Sequence, residues 1–198
     1  VEELAHYAGI PVINGLTDLL HPCQALADFQ TVRENKGHLQ GLKLAFVGDG
    51  NNVAHSLMLG GTKLGMHIAI ASAKGYEPKA DITAKAKASA EKNNGKLEIV
   101  NDPIQAVKDA DVVYTDVWAS MGQEKEAETR QKELASFQLN SELLAKAKPD
   151  AIVMHCLPAK RGQEITEEVI ESKQSVVFDE AENRLWAQMA VMALVMGK

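Results

Sequence analysis

From Leu42 to Asp179 short apolar, β-branched runs alternate with stretches of helical period. A chain written this way has few options, because parallel strands need a crossover connection and a helix is the usual one. Strands are expected at Lys43 to Val47, His67 to Ala71, Lys96 to Val100, Asp111 to Thr115, Ala151 to His155 and Ser175 to Phe178. Helices are expected at Asn52 to Leu64, Asp81 to Asn93, Pro103 to Asp109, Ser141 to Ala147, Thr166 to Ser172 and Glu182 to Met196, several opened by a capping residue such as Asp81, Asp102 or Ser141. The predicted class is α/β, a doubly wound, mainly parallel sheet with helices on both faces.

Composition narrows what such a fold could serve. Hydrophobic residues at 45% against 24% charged exclude a disordered tail. Lys+Arg 21 against Asp+Glu 27 leaves a net charge of -6 with the basic residues scattered, so no phosphate-backbone footprint is present and nucleic acid is excluded as a partner. Two cysteines, Cys23 and Cys156, are too few for a disulfide scaffold and point to a reducing compartment. No apolar run reaches the roughly 18 residues of a membrane span, and Val1 to Tyr7 lacks the features of a signal peptide. Val1 to Ala8 reads as the end of a helix and Pro11 to Asn14 as a short strand, too little for a domain, so a fragment is expected. At the other end Leu185 to Met196 is apolar all round apart from Gln188, which calls for a second body of protein to cover it.

The polar exceptions fall at carboxyl ends of predicted strands, where open α/β sheets bind ligands. Gly48-Asp49-Gly50-Asn51-Asn52 follows the first strand. Its glycines invite a dinucleotide reading, but Val53 stands where the third glycine belongs and Ala71-Ser72-Ala73 offers no acid for a ribose. A tight turn, or asparagine amides presented to a small polar ligand, are the other readings. Asp116-Val117-Trp118-Ala119-Ser120-Met121-Gly122 sets a carboxylate for an ammonium beside backbone for a carboxylate, a combination suited to an amino acid; Glu124 to Glu133 beyond it reads as solvated loop. His21 and Gln24 lie three apart in a first helical turn and can face one site, or else His21 caps the helix and Cys23 is buried filler. Arg184 at the start of the last helix opposes the dipole and therefore has another task, such as an oxyanion, unless it makes a surface salt bridge. His21, Cys23, His155 and Cys156 could suggest zinc, but adjacent strand residues point to opposite faces, so no metal is expected.

Taken together these motifs resemble the ornithine carbamoyltransferase family: His21-Pro22-Cys23-Gln24, Gly48 to Asn52, Asp116 to Glu124, His155-Cys156-Leu157-Pro158 and Glu182-Asn183-Arg184, in order and spacing over essentially the whole chain. The Ser-Met-Gly loop resembles the ornithine rather than the aspartate enzymes. The resemblance implies a Rossmann-like fold and carbamoyl transfer from carbamoyl phosphate to L-ornithine, giving L-citrulline and phosphate, with no cofactor. It assigns His21 and Gln24 to the carbamoyl group, Arg184 to its carbonyl oxygen, and Asn52, Asp116, Ser120 and Met121 to the amino-acid end of ornithine. Cys156 and Leu157 line the reacting centre, with Cys156 and Asp116 as a proton relay and His21 and Arg184 as donors to the oxyanion. It further implies residues 1–20 as the tail of a missing carbamoyl phosphate domain, 21–38 as an interdomain helix, 39–181 as the ornithine-binding domain and 182–198 as a helix returning to the missing domain. A homotrimer in the cytoplasm, or in the mitochondrial matrix of a eukaryote, is the implied setting. The alternative from a different class is a non-catalytic Rossmann-like domain binding a small ligand or nucleotide.

Overall fold

The computed structural model describes residues 1–119 and 126–196. Five parallel strands, β1 (Lys43–Val47), β2 (His67–Ala71), β3 (Lys96–Val100), β4 (Val112–Thr115) and β5 (Ile152–His155), form one sheet in the order β3-β2-β1-β4-β5. Strand order reverses between β1 and β4, so the crevice outside their carboxyl ends is the topological switch point. Strand periodicity explains the two layers. Leu44 and Phe46 point into a core with Phe29, Leu57, Met58, Ile68 and Tyr114, whereas Ala45 and Val47 point into another with Val113, Val153, Trp118, Phe137 and Leu139.

Nine α-helices lie among the described residues: α1 (Glu2–Tyr7), α2 (Pro22–Lys36), α3 (Asn52–Lys63), α4 (Ala80–Lys92), α5 (Pro103–Val107), α6 (Ala127–Glu133), α7 (Ser141–Leu144), α8 (Glu167–Ile170) and α9 (Val177–Met196). Pro22 at the first position and Gly37 in the left-handed region just past the end bound α2, as the conformational preferences of proline and glycine require. Helices α2 and α9 pack along each other, joined by Asn183 Nδ2, which donates to Thr31 Oγ1 at 2.9 Å and to Glu34 at 2.7 Å. No helix among the described residues is long and apolar enough to cross a membrane.

Three expectations are corrected. Ser175 to Phe178 is not a sixth strand: Ser175 makes one isolated bridge to Val153, and the chain turns helical at Val177. Asp179 and Glu180 in the first turn suit the positive end of a helix, which is why α9 starts there and not at Glu182. Part of the supposed loop from Glu124 to Glu133 is helix α6, tethered by Arg130, which donates to Asp49 Oδ2 at 2.6 Å and lies over the Tyr76 ring.

Candidate active site

Gly48 to Asn52 is built as a turn first. Gly48 has φ +140°, and a Cβ on Gly50 would lie 2.3 Å from the backbone nitrogen of Pro78. Protein, not a pyrophosphate, occupies the space that Gly50 leaves, so the dinucleotide reading loses its main support. Gly50→Ala is expected to destabilise the fold by about 1 to 3 kcal/mol through this overlap, read as a lowered midpoint in urea unfolding. An unchanged midpoint would contradict the close approach.

Asn51 at the N-cap of α3 has two duties. Its Oδ1 accepts from the backbone N–H groups of Val53 and Ala54, and its Nδ2 donates to Asp116 Oδ2 at 2.7 Å. Asp116 follows β4 at the switch point and is buried. Its Oδ1 accepts from the Val117 N–H at 2.8 Å and from Cys156 Sγ at 3.1 Å. Asn52 stands beside this group, its Nδ2 donating to the Thr17 carbonyl at 2.7 Å.

Burial, the Asp116 charge and the hydrogen bond to it push the Cys156 thiol well above its usual range. It is therefore a protonated donor at neutral pH. An ordinary thiol near ~8.5 would have begun to ionise by pH 9; this site withholds that ionisation, which leaves Cys156 poorly suited to accept a proton in the relay that the resemblance implies.

Leu157 follows in the left-handed region at φ 54°, where a branched side chain is strained. Its N–H donates to His155 Nδ1 at 2.9 Å, and His155 Nε2 faces Glu164 Oε1 at 3.0 Å in a fully buried pair. Because Nδ1 accepts, the ring proton sits on Nε2 and points to Glu164. The sharp turn also corrects the strand-alternation argument: ligand atoms of Asp116, His155 and Cys156 lie within 4.8 Å of one another. Both nitrogens of His155 and the sulfur of Cys156 are nevertheless committed to protein partners.

On the α2 side, His21 occupies the N-cap but makes no side-chain capping bond. Its Nδ1 lies 3.0 Å from the Gly15 carbonyl, which can only accept, so Nδ1 bears the proton and Nε2 is left as an acceptor. Desolvation first, then the Arg184 charge, lowers its pKa and keeps the ring neutral at pH 7. This tautomer differs from the oxyanion donor expected of His21. Arg184 donates through one terminal nitrogen to Gln24 Oε1 at 2.6 Å and through the other to the Gly15 carbonyl at 3.4 Å, while its Nε is buried with no partner. Because α9 begins at Val177, Arg184 stands about two turns inside the helix, and the dipole argument for its role falls away. Cys23 is buried filler, donating weakly to the Asn14 carbonyl.

Two groups of site residues thus converge. Asp116, Asn51, Asn52, Cys156 and Leu157 come from sheet loops, and His21, Gln24 and Arg184 from α2 and α9. They are near enough for the Asp116 and Arg184 charges to act on His21. Ser120 and Met121 lie outside the described residues. Asn51 was read with Asn52 as an amide for a ligand, whereas its amide is spent on the helix cap and on Asp116; Asp28 and Glu180 were missed, and for Asp28 the signal was a carboxylate four residues after Gln24, on the same helix face and amid apolar neighbours.

Comparison with known proteins decides the family. The model of the aspartate/ornithine carbamoyltransferase Asp/Orn binding domain matches residues 40–195, and that of the carbamoyl-P binding domain matches residues 1–34. The chain belongs to the aspartate/ornithine carbamoyltransferase family. An ornithine carbamoyltransferase of Thermococcus kodakarensis is 64% identical over 197 residues, covering 100% of this chain and 62% of that protein. The solved enzyme of Pyrococcus furiosus superposes with TM-score 0.96 at 59% identity, covering 99% of this chain and 63% of the other. That of Giardia lamblia superposes at 0.91 and 34% identity, covering 100% and 66%. The chain therefore spans about three fifths of the length of the curated relatives it matches, 62% in the first case.

Proposed function

We propose that this chain is the amino-acid-binding part of an ornithine carbamoyltransferase, forming L-citrulline and phosphate from carbamoyl phosphate and L-ornithine. The observation that carries the reading is Asp116, buried at the switch point with Asn51, Val117 and Cys156 as donors and with His21 nearby. A fixed carboxylate there suits the α-ammonium of an amino acid. Asn52, Ser120 and Met121 complete that end, and Leu157 borders the reacting carbon. Residues 1–20, 21–38 and 182–198 would meet the carbamoyl phosphate domain, and the complete enzyme would be a cytoplasmic homotrimer. No cofactor is required.

In the reaction the neutral side-chain nitrogen of ornithine attacks the carbamoyl carbon, the C–N bond forms and the C–O bond to phosphate breaks with its electron pair. The proton shed by the nitrogen ends on phosphate or solvent. Cys156, already protonated, is a donor that orders Asp116 and not the base. Arg184, with its unpartnered Nε, is placed for the developing oxyanion, and neutral His21 offers Nε2 to the carbamoyl amino group.

Between pH 7 and 9 His21 stays neutral, because its pKa is depressed, and Cys156 stays protonated, because its pKa is raised. The side-chain amine near ~10.4 then makes kcat/KM for ornithine rise about tenfold per pH unit from pH 7, and the rise flattens once the α-ammonium that Asp116 takes begins to lose its proton, near ~8. Cys156→Ser should keep that slope. A wild-type break near the ordinary thiol pKa that vanishes in the variant would contradict the donor role.

Calorimetry of the full-length protein separates the two classes of function. With carbamoyl phosphate present, ornithine should give heat and turnover while NAD gives neither. Heat from NAD without any from ornithine would favour the non-catalytic nucleotide-binding alternative.

A further inference from the structure

A polar cluster behind the carbamoyl side of the site takes no part in the reaction as proposed. Asp28 of α2 and Glu180 of α9 are both fully buried, and one oxygen of each accepts from the same Gln24 Nε2. Two carboxylates converging on one donor away from water cannot both be ionised, so the pair keeps one proton. Their partners assign it. Glu180 is ringed by donors: Tyr114 Oη at 2.9 Å and Gln24 Nε2 at 3.1 Å on Oε1, and the His155 backbone N–H at 3.0 Å on Oε2. An ionised carboxylate, which only accepts, fits that ring. Asp28 accepts through Oδ1 from Gln24 Nε2 at 2.8 Å, whereas its Oδ2 is buried and no donor faces it, as suits the hydroxyl oxygen of a neutral acid. Burial raises both groups; the Glu180 charge raises Asp28 further, well above its ordinary value, while the donors around Glu180 pull it back down. The other ionisable groups near the pair are Tyr114, His155, Cys156 and, beyond Gln24, Arg184.

This arrangement decides which way the Gln24 amide faces. Its nitrogen is claimed by Asp28 and Glu180, so its oxygen must point the other way, where it meets Arg184 at 2.6 Å. A flipped amide would set N–H groups against the guanidinium, leave Asp28 Oδ1 without a donor and leave Glu180 Oε1 with Tyr114 alone. We propose that Asp28 and Glu180 are positioning residues: neutral Asp28 and ionised Glu180 together lock Gln24 with its carbonyl toward Arg184 and the substrate. What Gln24 and Arg184 then hold rests on the carbamoyl-transfer reading; the lock itself rests on the contacts.

The pair is tested in the full-length enzyme with Asp28→Ala, Asp28→Asn and Glu180→Gln. Asparagine offers an N–H where the acid had its O–H and keeps the carbonyl that Gln24 needs. Glutamine at 180 instead turns a donor toward donors. Asp28→Ala should lower kcat/KM for carbamoyl phosphate about tenfold, Asp28→Asn should restore it to within about threefold, and Glu180→Gln should lower it about thirtyfold, while the KM for ornithine moves less than about twofold. Infrared difference spectra at neutral pH should lose one protonated-carboxyl band in Asp28→Asn.

The proposal is overturned if asparagine at 28 is no better than alanine, if Glu180→Gln behaves as wild type, or if ornithine affinity falls in step with that for carbamoyl phosphate. Should Glu180→Gln fail to fold, the Asp28 pair of variants decides. A wild type that makes no citrulline defeats the functional reading alone, and the infrared band then settles the lock: its loss in Asp28→Asn supports it and its persistence overturns it.

Discussion

Expressed alone, the 198-residue chain is expected to make no citrulline from carbamoyl phosphate and L-ornithine and to self-associate. Silence follows from the proposed roles: the carbamoyl-P binding domain model matches only residues 1–34, and on the reading above His21, Gln24 and Arg184 would hold only the carbamoyl end of the donor. An electrophile that is not fixed forfeits the advantage of orientation, worth up to roughly 7 to 11 kcal/mol of the barrier. Self-association follows from α9, whose Leu185, Trp186, Met189, Met192, Leu194, Val195 and Met196 side chains are exposed, Leu194 by 82%. Each forgoes on the order of 1.5 to 3 kcal/mol of burial, and a patch of this kind draws another copy. Supplying a carbamoyl phosphate-binding domain as a separate polypeptide should restore some citrulline and replace the self-associated form in light scattering. A monomer that turns over both substrates unaided would refute the prediction.

Asp116→Asn in the full-length protein should cut kcat/KM for ornithine about tenfold to a hundredfold, with little change in carbamoyl phosphate binding. A hydrogen bond to a charged group is worth about 1.5 to 3 kcal/mol, which is that range of rate. The mutant loses more than a ligand contact. Asp116 accepts from Asn51, Val117 and Cys156, so an amide nitrogen in place of either oxygen faces a donor already in position. Ornithine kinetics equal to wild type would remove Asp116 from the site.

Much of the sheet was legible because short apolar runs recur between helical stretches: Leu44 and Phe46 face one core and Ala45 and Val47 the other, as in a parallel strand buried on both faces. The supposed sixth strand failed because Ser175 to Phe178 is apolar and short, and periodicity cannot tell a buried strand from the first turn of a buried helix. Asp179 and Glu180 held the deciding information as helix-start acids. Within the site, Asp116 and Cys156 stood out because each directly follows an apolar strand, and Gln24 because it lies three residues from His21, whereas Arg184 was singled out on a helix start that α9 does not have. What remained hidden were states that three-dimensional neighbours impose: the tautomer of His21 set by the Gly15 carbonyl, the protonated thiol set by Asp116, and the facing of Gln24 set by Glu180, which is 156 positions away in sequence. No spacing rule reaches across that distance.

The most direct measurement offers the full-length protein carbamoyl phosphate with equal amounts of L-ornithine and L-aspartate and identifies the products. A site built around Asp116 for an ammonium, with Asn52 and the loop through Ser120 and Met121 at the amino-acid end, predicts citrulline formed in step with released phosphate and little or no carbamoyl-aspartate. Carbamoyl-aspartate as the main product, or phosphate released without any carbamoylated amine, would contradict it.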